Sequence, residues 1–203
     1  MEKINFDKKL ENIINSLDYK PTLLLHSCCG PCSSYVITYL KDYFDITILY
    51  YNPNIEPKEE YIKRKKEQIR LINEINISNL NFLDIDYDNE YYKNKVIGYE
   101  EEKEGGSRCH ICYDLRLRKT AEAAKDNCFE FFGTTLTVSP YKNAQVLNNM
   151  GEKIAAELNI KWLYSDFKKK EGYKKSIELS KKYNLYRQDY CGCLSSKRES
   201  FNE

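Results

Sequence analysis

Cysteines are the residues of this chain with the most chemical potential, and seven of the eight fall in three groups. The groups are Cys28, Cys29 and Cys32; Cys109 and Cys112; and Cys191 and Cys193. Thiolates bind metals and take part in redox reactions, so grouped cysteines predict a metal site or a redox centre. Seven thiols exceed the four ligands that one tetrahedral ion accepts.

The spacing within the groups discriminates between metals. Side chains of adjacent residues such as Cys28 and Cys29 diverge, so they rarely bind one zinc ion together. In a 4Fe-4S cluster each iron takes one thiolate, so neighbouring cysteines can reach different corners. The pattern therefore favours a cluster, with three thiols left for a second metal or a redox pair.

Two further cysteine features have other interpretations. The sequence Cys29-Gly30-Pro31-Cys32 also matches the C-x-x-C motif of dithiol oxidoreductases, which lies after a strand and before a helix. That alternative leaves Cys28 and the four downstream partners unexplained. Cys128 lies in an apolar, aromatic run that predicts a strand over residues 128–138, and we expect it to be a buried structural residue.

Composition narrows the class of protein. The 203 residues carry 32 Lys and Arg against 31 Asp and Glu, a formal charge of +1, which excludes nucleic-acid binding by bulk charge alone. The hydrophobic fraction of 41% excludes intrinsic disorder. No apolar run approaches the roughly 20 residues of a membrane span, and the amino terminus lacks a signal peptide. We expect a cytoplasmic protein with no membrane contact, in which thiols stay reduced.

Apolar periodicity predicts an alternation of strands and helices. Strands are expected at 22–26, 45–51, 81–86, 128–138 and 161–164, and helices at 4–17, 33–44, 57–76, 88–97, 108–125, 143–158 and 171–183. This order favours an α/β fold, a Rossmann-like, mostly parallel sheet with helices on both faces. We find no repeat or linker, so we predict one domain over residues 1–203 with a cysteine-bearing C-terminal tail.

The predicted fold places the first cysteines at a functional position. In such sheets ligands bind beyond the carboxyl ends of the strands, and Cys28, Cys29 and Cys32 directly follow the first strand. The next helix directs its free N–H groups to the same place, which favours thiolate. We therefore expect the metal site at the C-terminal ends of the strands.

Five motifs in order give the chain a family resemblance. They are HSCCGPCSSY at 26–35, YNPNIEPKEEY at 51–61, EGGSRCHICYDLRL at 104–117, TTLTVSPYKN at 134–143 and YRQDYCGC at 186–193. Together they resemble the QueH family of epoxyqueuosine reductases. The resemblance implies a HUP-type domain with a 4Fe-4S cluster. It also implies reduction of the epoxide of epoxyqueuosine in tRNA to the cyclopentene, the last step of queuosine biosynthesis.

The resemblance also implies roles for the cysteines and for partners. We expect Cys28, Cys29, Cys109 and Cys112 to bind the cluster. Cys32, Cys191 and Cys193 would bind a second mononuclear metal ion, iron or zinc by substitution, or Cys191 and Cys193 would form a redox-active pair. The partners would be the tRNA anticodon loop that carries epoxyqueuosine and a low-potential electron donor.

Several other residues have both a structural and a functional interpretation. His26 is expected to be a buried structural histidine, and Asp114 to pair with Arg118 four residues on. Tyr141, Lys142 and Asn143 follow the fourth strand and either contact substrate phosphate or form a turn. The same choice applies to three further sets: Asn52, Asn54 and Glu56; the basic runs at 63–66, 116–119 and 168–175; and Tyr87, Tyr91 and Tyr92 as stacking platforms or core residues.

Two alternative functions belong to other classes. An ATP-using tRNA-modifying enzyme on a similar sheet would need a glycine-rich phosphate loop after the first strand, and CCGPCSS offers one glycine. A zinc-stabilised nucleic-acid-binding module would use the cysteine groups only to hold its fold together. Iron and sulfide in the purified protein distinguish the reductase from the zinc module.

Overall fold

The structure is a computed structural model that describes residues 4–200, with side chains described through residue 197. Five strands form one parallel sheet: β1 Thr22–His26, β2 Asp45–Tyr50, β3 Asn81–Asp84, β4 Phe131–Thr134 and β5 Lys161–Trp162. The helices are α1 Phe6–Asn15, α2 Gly30–Leu40, α3 Lys58–Ile75, α4 Asn89–Lys95, α5 Ser107–Asp126, α6 Ala144–Leu158, α7 Gly172–Lys182 and α8 Leu194–Ser200. A short 3₁₀ segment spans Leu136–Val138.

The strand order is β3-β2-β1-β4-β5, which confirms the predicted Rossmann-like α/β fold. The chain runs from β1 outward to β3 and then returns to the other side of β1 to add β4 and β5. The connections therefore diverge between β1 and β4, whose pairing aligns His26 with Thr134. Ligands of open α/β sheets bind at such a divergence, beyond the carboxyl ends of the two strands.

Helices cover both faces of the sheet, because its central strands are apolar on both sides. Leu23 and Leu25 of β1 pack in a core with residues of α1, α2, α3 and α7. Leu24, between them, faces the opposite core, which α5 and α6 supply. This alternation is the period of two that a strand imposes on its side chains.

The fourth strand is shorter than the sequence predicts, and the expectation for Cys128 is wrong. The predicted strand over residues 128–138 resolves into β4 and the 3₁₀ segment that follows Thr135. Cys128 itself is exposed and has a φ of 57°, in the turn that ends α5. The first residues of the apolar run form the turn that follows α5, so they do not belong to a strand.

The tail after α7 is irregular as far as residue 193 and ends in the short helix α8. Arg64 of α3 holds it by donating from Nη1 to the carbonyl of Cys191 at 3.1 Å and from Nη2 to that of Tyr190 at 3.4 Å. The predicted cysteine-bearing tail is thereby confirmed, although the sequence pattern did not indicate α8. No helix within residues 4–200 is both long and apolar enough to cross a membrane.

Candidate active site

The first cysteine group lies in the loop between β1 and α2 and in the first turn of α2. The sulfur atoms of Cys28, Cys29 and Cys32 lie within 4.8 Å of one another, and those of Cys28 and Cys29 are 3.6 Å apart. Cys29 is the N-cap of α2, and Pro31 occupies the first turn, where its missing N–H has no cost. The loop thus presents three thiols at the divergence of β1 and β4.

Polar contacts from α3 fix the shape of this loop. The hydroxyls of Ser27 and Ser33 donate to Oε1 of Gln68 at 2.7 and 2.6 Å. Ser33 also lies 2.8 Å from the carbonyl of Cys29. Gln68 is fully buried, and sequence reasoning missed it. Its position on the buried side of a long amphipathic helix is the signal that would have found it.

The three thiols of the loop differ in acidity. Hydrogen bonds from Cys29 and Cys32 lower the pKa of Cys28 well below its usual value. The hydrogen bond with Cys28 raises the pKa of Cys29 to about 12, and the hydrogen bond of Cys32 with Cys28 raises the pKa of Cys32 well above its usual value. Cys28 is therefore the first of the three to become a thiolate.

The second cysteine group lies in the first turns of α5, on the opposite face of the sheet from α2. The backbone N–H of Gly105 donates to the sulfur of Cys109 at 3.2 Å, and Nη1 of Arg116 lies 3.8 Å from the sulfur of Cys112. Burial raises the pKa of both thiols, to about 12 for Cys112. The spacing puts both cysteines on the buried side of the helix, as the C-x-x-C pattern predicts.

Arg116 connects this helix to β1 and β2. Its Nε donates to Nε2 of His26 at 3.2 Å, and its Nη2 donates to Oδ1 of Asn52 at 2.7 Å. Nε2 of His26 also lies 3.1 Å from the carbonyl oxygen of Tyr51, and Nδ1 lies 3.1 Å from Oγ1 of Thr134. Burial and the Arg116 charge lower the pKa of His26 to about 3, so it is neutral and structural, as predicted.

The third cysteine group depends on a tight turn of the tail. Gly192 has a φ of 144°, and a Cβ there would come within 2.9 Å of the Ile55 side chain. Only glycine suits this conformation and this close approach. Nζ of Lys142 lies 3.2 Å from the sulfur of Cys191, whereas Cys193 is 3.5 Å from Oγ of Ser196.

The fold brings the three groups to one end of the sheet. Cys191 is close enough to act on the pKa of both Cys109 and Cys112, and Cys112 packs in one buried cluster with Cys193. Cys28 packs against the cluster that contains Cys109. Cys32 lies in the first turn of α2, beside Cys28 and Cys29.

The remaining predicted residues mostly have structural roles. Asp114 pairs with Arg118 at 3.5 Å, as predicted. Tyr92 is buried, and the hydroxyl of Tyr87 donates to the carbonyl of Ile55 at 2.7 Å. Tyr91 is half-exposed with Lys95 over its ring. The loop with Asn52, Asn54 and Glu56 is buried and contacts the tail, since the N–H of Glu56 donates to the carbonyl of Gly192.

The basic runs contain two buried arginines. Arg64 and Arg116 are each 1% exposed, so neither reaches a phosphate on the protein surface. Of the lysines beside Arg64, Lys65 pairs with Asp84 and Lys63 lies over the ring of Tyr186. The sequence did not predict which members of a charged run the fold buries.

A cavity of about 440 Å³ opens beside the thiols. Its lining includes Cys28, Cys32, Arg116 and Cys191, and the residues after β4 and after α7 form its walls. Tyr141 lies at the rim with 75% of its surface exposed. The volume is in the range of small-molecule sites and admits a nucleobase with a substituent.

Comparison with known proteins assigns a family to this arrangement. A family model described as Epoxyqueuosine reductase QueH matches residues 23–199, which include all three cysteine groups. The chain belongs to the QueH family. This confirms the resemblance read from the five motifs. Membership of this family favours an epoxyqueuosine reductase over the two alternatives, a CGPC dithiol oxidoreductase and a zinc-stabilised nucleic-acid-binding module.

Curated QueH relatives match over most of their length. A protein of Staphylococcus epidermidis named Epoxyqueuosine reductase QueH is 42% identical, over 95% of this chain and 84% of its own. One of Streptococcus pyogenes with the same name is 41% identical, over 95% and 78%. A more distant QueH of Thermotoga maritima is 34% identical, over 88% of this chain and 91% of its own.

Proposed function

We propose that this chain reduces the epoxide of epoxyqueuosine in tRNA to the cyclopentene of queuosine, the last step of queuosine biosynthesis, and that its cysteines hold a 4Fe-4S cluster. The reaction takes up two electrons and two protons and releases the epoxide oxygen as water. One observation supports the proposal above the others: Cys28, Cys32 and Cys191, from two distant stretches of a QueH family chain, line one cavity.

The donor set fits an iron–sulfur cluster. Thiolates are the usual ligands of such clusters, and the first loop alone brings three sulfurs within 4.8 Å. When bound, a cluster supplies electrons one at a time, which no side chain does repeatedly. We assign Cys28, Cys29, Cys109 and Cys112 to the cluster, supported by the packing of Cys28 against the core cluster that contains Cys109.

Three cysteines remain for a second role. Cys32 and Cys191 both line the cavity, and Cys193 is buried beside them in the tail. We propose that Cys32, Cys191 and Cys193 bind a second metal ion, iron or zinc. A redox-active pair of Cys191 and Cys193 is the alternative assignment. Either role places the tail at the reacting end of the site.

Two buried cations offset the charge that thiolates bring into the site. Burial acts to lower the pKa of Arg116, but Cys112, Cys28 and Cys191 attract its charge and the net effect is a rise. The pKa of Lys142 is likewise raised against the effect of burial, with Cys191 as the main cause. Buried charges persist when they are paired in this way.

Lys142 is the cation best placed to bind the substrate oxygen. Its Nζ lies 3.2 Å from the Cys191 sulfur and 3.4 Å from a carboxylate oxygen of Glu104, and the residue lines the cavity. The carbonyl of Lys142 accepts from Nζ of Lys168 at 3.2 Å, which fixes its backbone. We propose that Lys142 donates a hydrogen bond to the epoxide oxygen and orients it as the carbon–oxygen bonds break.

The tRNA would reach this cavity through its anticodon loop. An unpaired, modified base can leave the loop and enter a pocket by stacking, with few phosphate contacts. Tyr141, exposed at the rim, is the aromatic ring we propose for that stacking. The same proposal includes three further elements: a cytosolic location, a single domain over residues 1–203, and a low-potential electron donor as partner.

The test is reduction of epoxyqueuosine in tRNA under anaerobic conditions. Protein reconstituted with iron and sulfide is incubated with epoxyqueuosine tRNA and a low-potential reductant, and the nucleosides are analysed. We expect queuosine to appear, and we expect a Cys109→Ala or Cys112→Ala variant to lose both the broad visible absorbance and the product. The matched Cys128→Ser variant should keep both.

Two outcomes would contradict the proposal. Protein with an intact cluster that forms no queuosine would refute the reaction. Full iron content in both the Cys109 and the Cys112 variants would refute the ligand assignment while leaving the reaction open to other ligands.

A further inference from the structure

Arg116 is a buried cation for which the fold supplies no carboxylate. Its side chain is 1% exposed, and among the side chains of residues 4–197 no aspartate or glutamate pairs with it. Its three contacts are to groups without a formal charge: Nε lies 3.2 Å from Nε2 of His26, Nη2 donates to Oδ1 of Asn52 at 2.7 Å, and Nη1 lies 3.8 Å from the sulfur of Cys112. A guanidinium in a protein stays protonated, so this charge remains in the interior.

The other buried cation beside the thiols is balanced by a carboxylate. Nζ of Lys142 lies 3.4 Å from a carboxylate oxygen of Glu104. A buried charge without a counter-ion is strongly destabilising, whereas a paired one is tolerated. Arg116 therefore fits a site in which an anionic group binds to the cysteines, and a cluster with four thiolate ligands is such a group.

The contacts of Arg116 hold its charge in one place. His26 is the last residue of β1, and Asn52, which follows β2, donates from Nδ2 to the carbonyl of Ser27 at 2.8 Å. All three guanidinium nitrogens are engaged, so the side chain cannot turn away without breaking contacts to both strands. A charge that is oriented before the reaction acts on the reacting group without a cost of reorganisation.

Other features of α5 act in the same direction as Arg116. Cys109 and Cys112 lie in the first turns of a 20-residue helix, whose N-terminus carries a partial positive charge. The N–H of Gly105 also donates to the Cys109 sulfur at 3.2 Å. Hydrogen bonds to the sulfurs and net charge are among the properties that set the reduction potential of an iron–sulfur cluster, because the reduced form carries one more negative charge. Arg116 adds a full positive charge to these partial ones.

We propose that Arg116 raises the reduction potential of the cluster by placing a fixed positive charge beside Cys112. The inference rests on the proposed function, because it takes Cys112 to be a cluster ligand. The step concerned is the uptake of one electron, which the low-potential donor loses, and two such transfers supply the two electrons that reduce one epoxide. Arg116 is neither a ligand nor an electron carrier; its charge makes each uptake more favourable.

The experiment is an anaerobic redox titration of reconstituted protein, with the reduced form followed by electron paramagnetic resonance. Arg116→Gln removes the charge and keeps an amide donor. The equilibrium constant for one-electron reduction should fall about tenfold or more, a potential lower by about 59 mV or more. Arg116→Lys keeps the charge but loses the fork that reaches both His26 and Asn52, so its equilibrium constant should stay within about threefold of the wild type.

A further variant keeps Arg116 and neutralises its charge. Asn52→Asp places a carboxylate where the guanidinium now donates at 2.7 Å, at the loss of one hydrogen bond to the Ser27 carbonyl. The equilibrium constant for reduction should again fall about tenfold. The control is Arg118→Gln, in a half-exposed pair on the same helix, which should keep the wild-type potential. Partial loss of iron does not change these values, because the titration reports only the molecules that hold a cluster.

The outcomes separate the inference from the proposed function. A wild-type potential in both Arg116→Gln and Asn52→Asp would overturn the inference. An equal fall in Arg116→Gln and Arg116→Lys would also overturn it, because it would indicate a structural role. If queuosine still forms in either case, the proposed function stands. The expected shifts in a protein that forms no queuosine would support the inference and refute the reaction, and a wild-type protein that holds no cluster after reconstitution would refute both.

Discussion

Two buried arginines on opposite faces of the sheet do different work at the same site. Arg64 of α3 and Arg116 of α5 are both 1% exposed, and each lies in a run of basic residues that looks solvated in the sequence. Arg64 donates to carbonyls of the tail and so determines where the chain goes. Arg116 lies among thiols, a histidine and an amide, and so determines local charge. Burial alone therefore does not reveal the role of an arginine; its acceptors do.

The largest effect is expected from removing Arg116. An Arg116→Met variant leaves His26 and Asn52 without their donor and the buried thiolates without a cation. Breaking a buried charge network costs about 3–5 kcal/mol. We expect the urea midpoint to fall and the iron content after reconstitution to drop. An Arg118→Met control, in a half-exposed surface pair on the same helix, should stay within about 0.5 kcal/mol of the wild type.

Removing Arg64 should give a smaller and more local effect. An Arg64→Met variant loses its ion pair with Glu60, whose carboxylate still accepts from the Tyr186 hydroxyl, and its hydrogen bonds to two carbonyls. The cost should be about 1.5–3 kcal/mol in total, and the tail is released. In metal-free protein Cys191 and Cys193 should be alkylated faster, while Cys109 and Cys112 react at the wild-type rate, as measured by mass spectrometry. The exposed Lys66→Met is the control on the same helix. Equal acceleration at all four cysteines would show that Arg64 supports the whole site and not the tail.

His26 provides a pH-dependent measure of the Arg116 side. Its pKa is about 3 in the folded protein against 6.5 ordinarily, so the unfolded chain binds a proton below pH 6.5 that the folded chain does not. Stability from this group is complete above pH 6.5 and falls as the pH drops toward 3, by up to about 1.4 kcal/mol per unit. Urea midpoints of metal-free protein between pH 7 and 5 should decline less steeply in a His26→Gln variant. Parallel curves would contradict this assignment.

The smallest effect is expected at the opposite end of α5. Cys128 is exposed in the turn that follows the helix, far from the thiols of the first turns, because 20 helical residues span roughly 30 Å. A Cys128→Ser variant should keep its iron content, its activity and its stability to within about 0.5 kcal/mol. A loss of iron in this variant would mean that an eighth thiol takes part in the site.

The alternation of strands and helices was readable from the sequence because each element carries its own periodicity. The strand at Thr22–His26 and the helix over Lys58–Ile75 lie where apolar spacing and Pro57 place them. The cysteine groups were readable because their spacing is a chemical signature. The partners of those groups were not. Gln68 and Arg116 are polar residues on helices, and only the packing of distant segments buries them.

Cys128 is a second example of what a local sequence pattern does not predict. Its apolar neighbours suggested a strand, yet the position of a turn depends on where α5 stops, which the local pattern does not fix. The position of Cys191 likewise depends on the anchoring of the tail against α3, because Arg64 donates to its carbonyl. The residue types predicted the chemistry that is available to the chain. The tertiary contacts determine which of those residues lie together at the site.

The anchoring of the tail has a consequence for how the enzyme matures. Five of the seven grouped cysteines precede residue 113, but the last two arrive only when Cys191 and Cys193 have left the ribosome and Arg64 has captured the turn between them. The full set of seven grouped thiols therefore exists only in a chain that has already folded its tail into place.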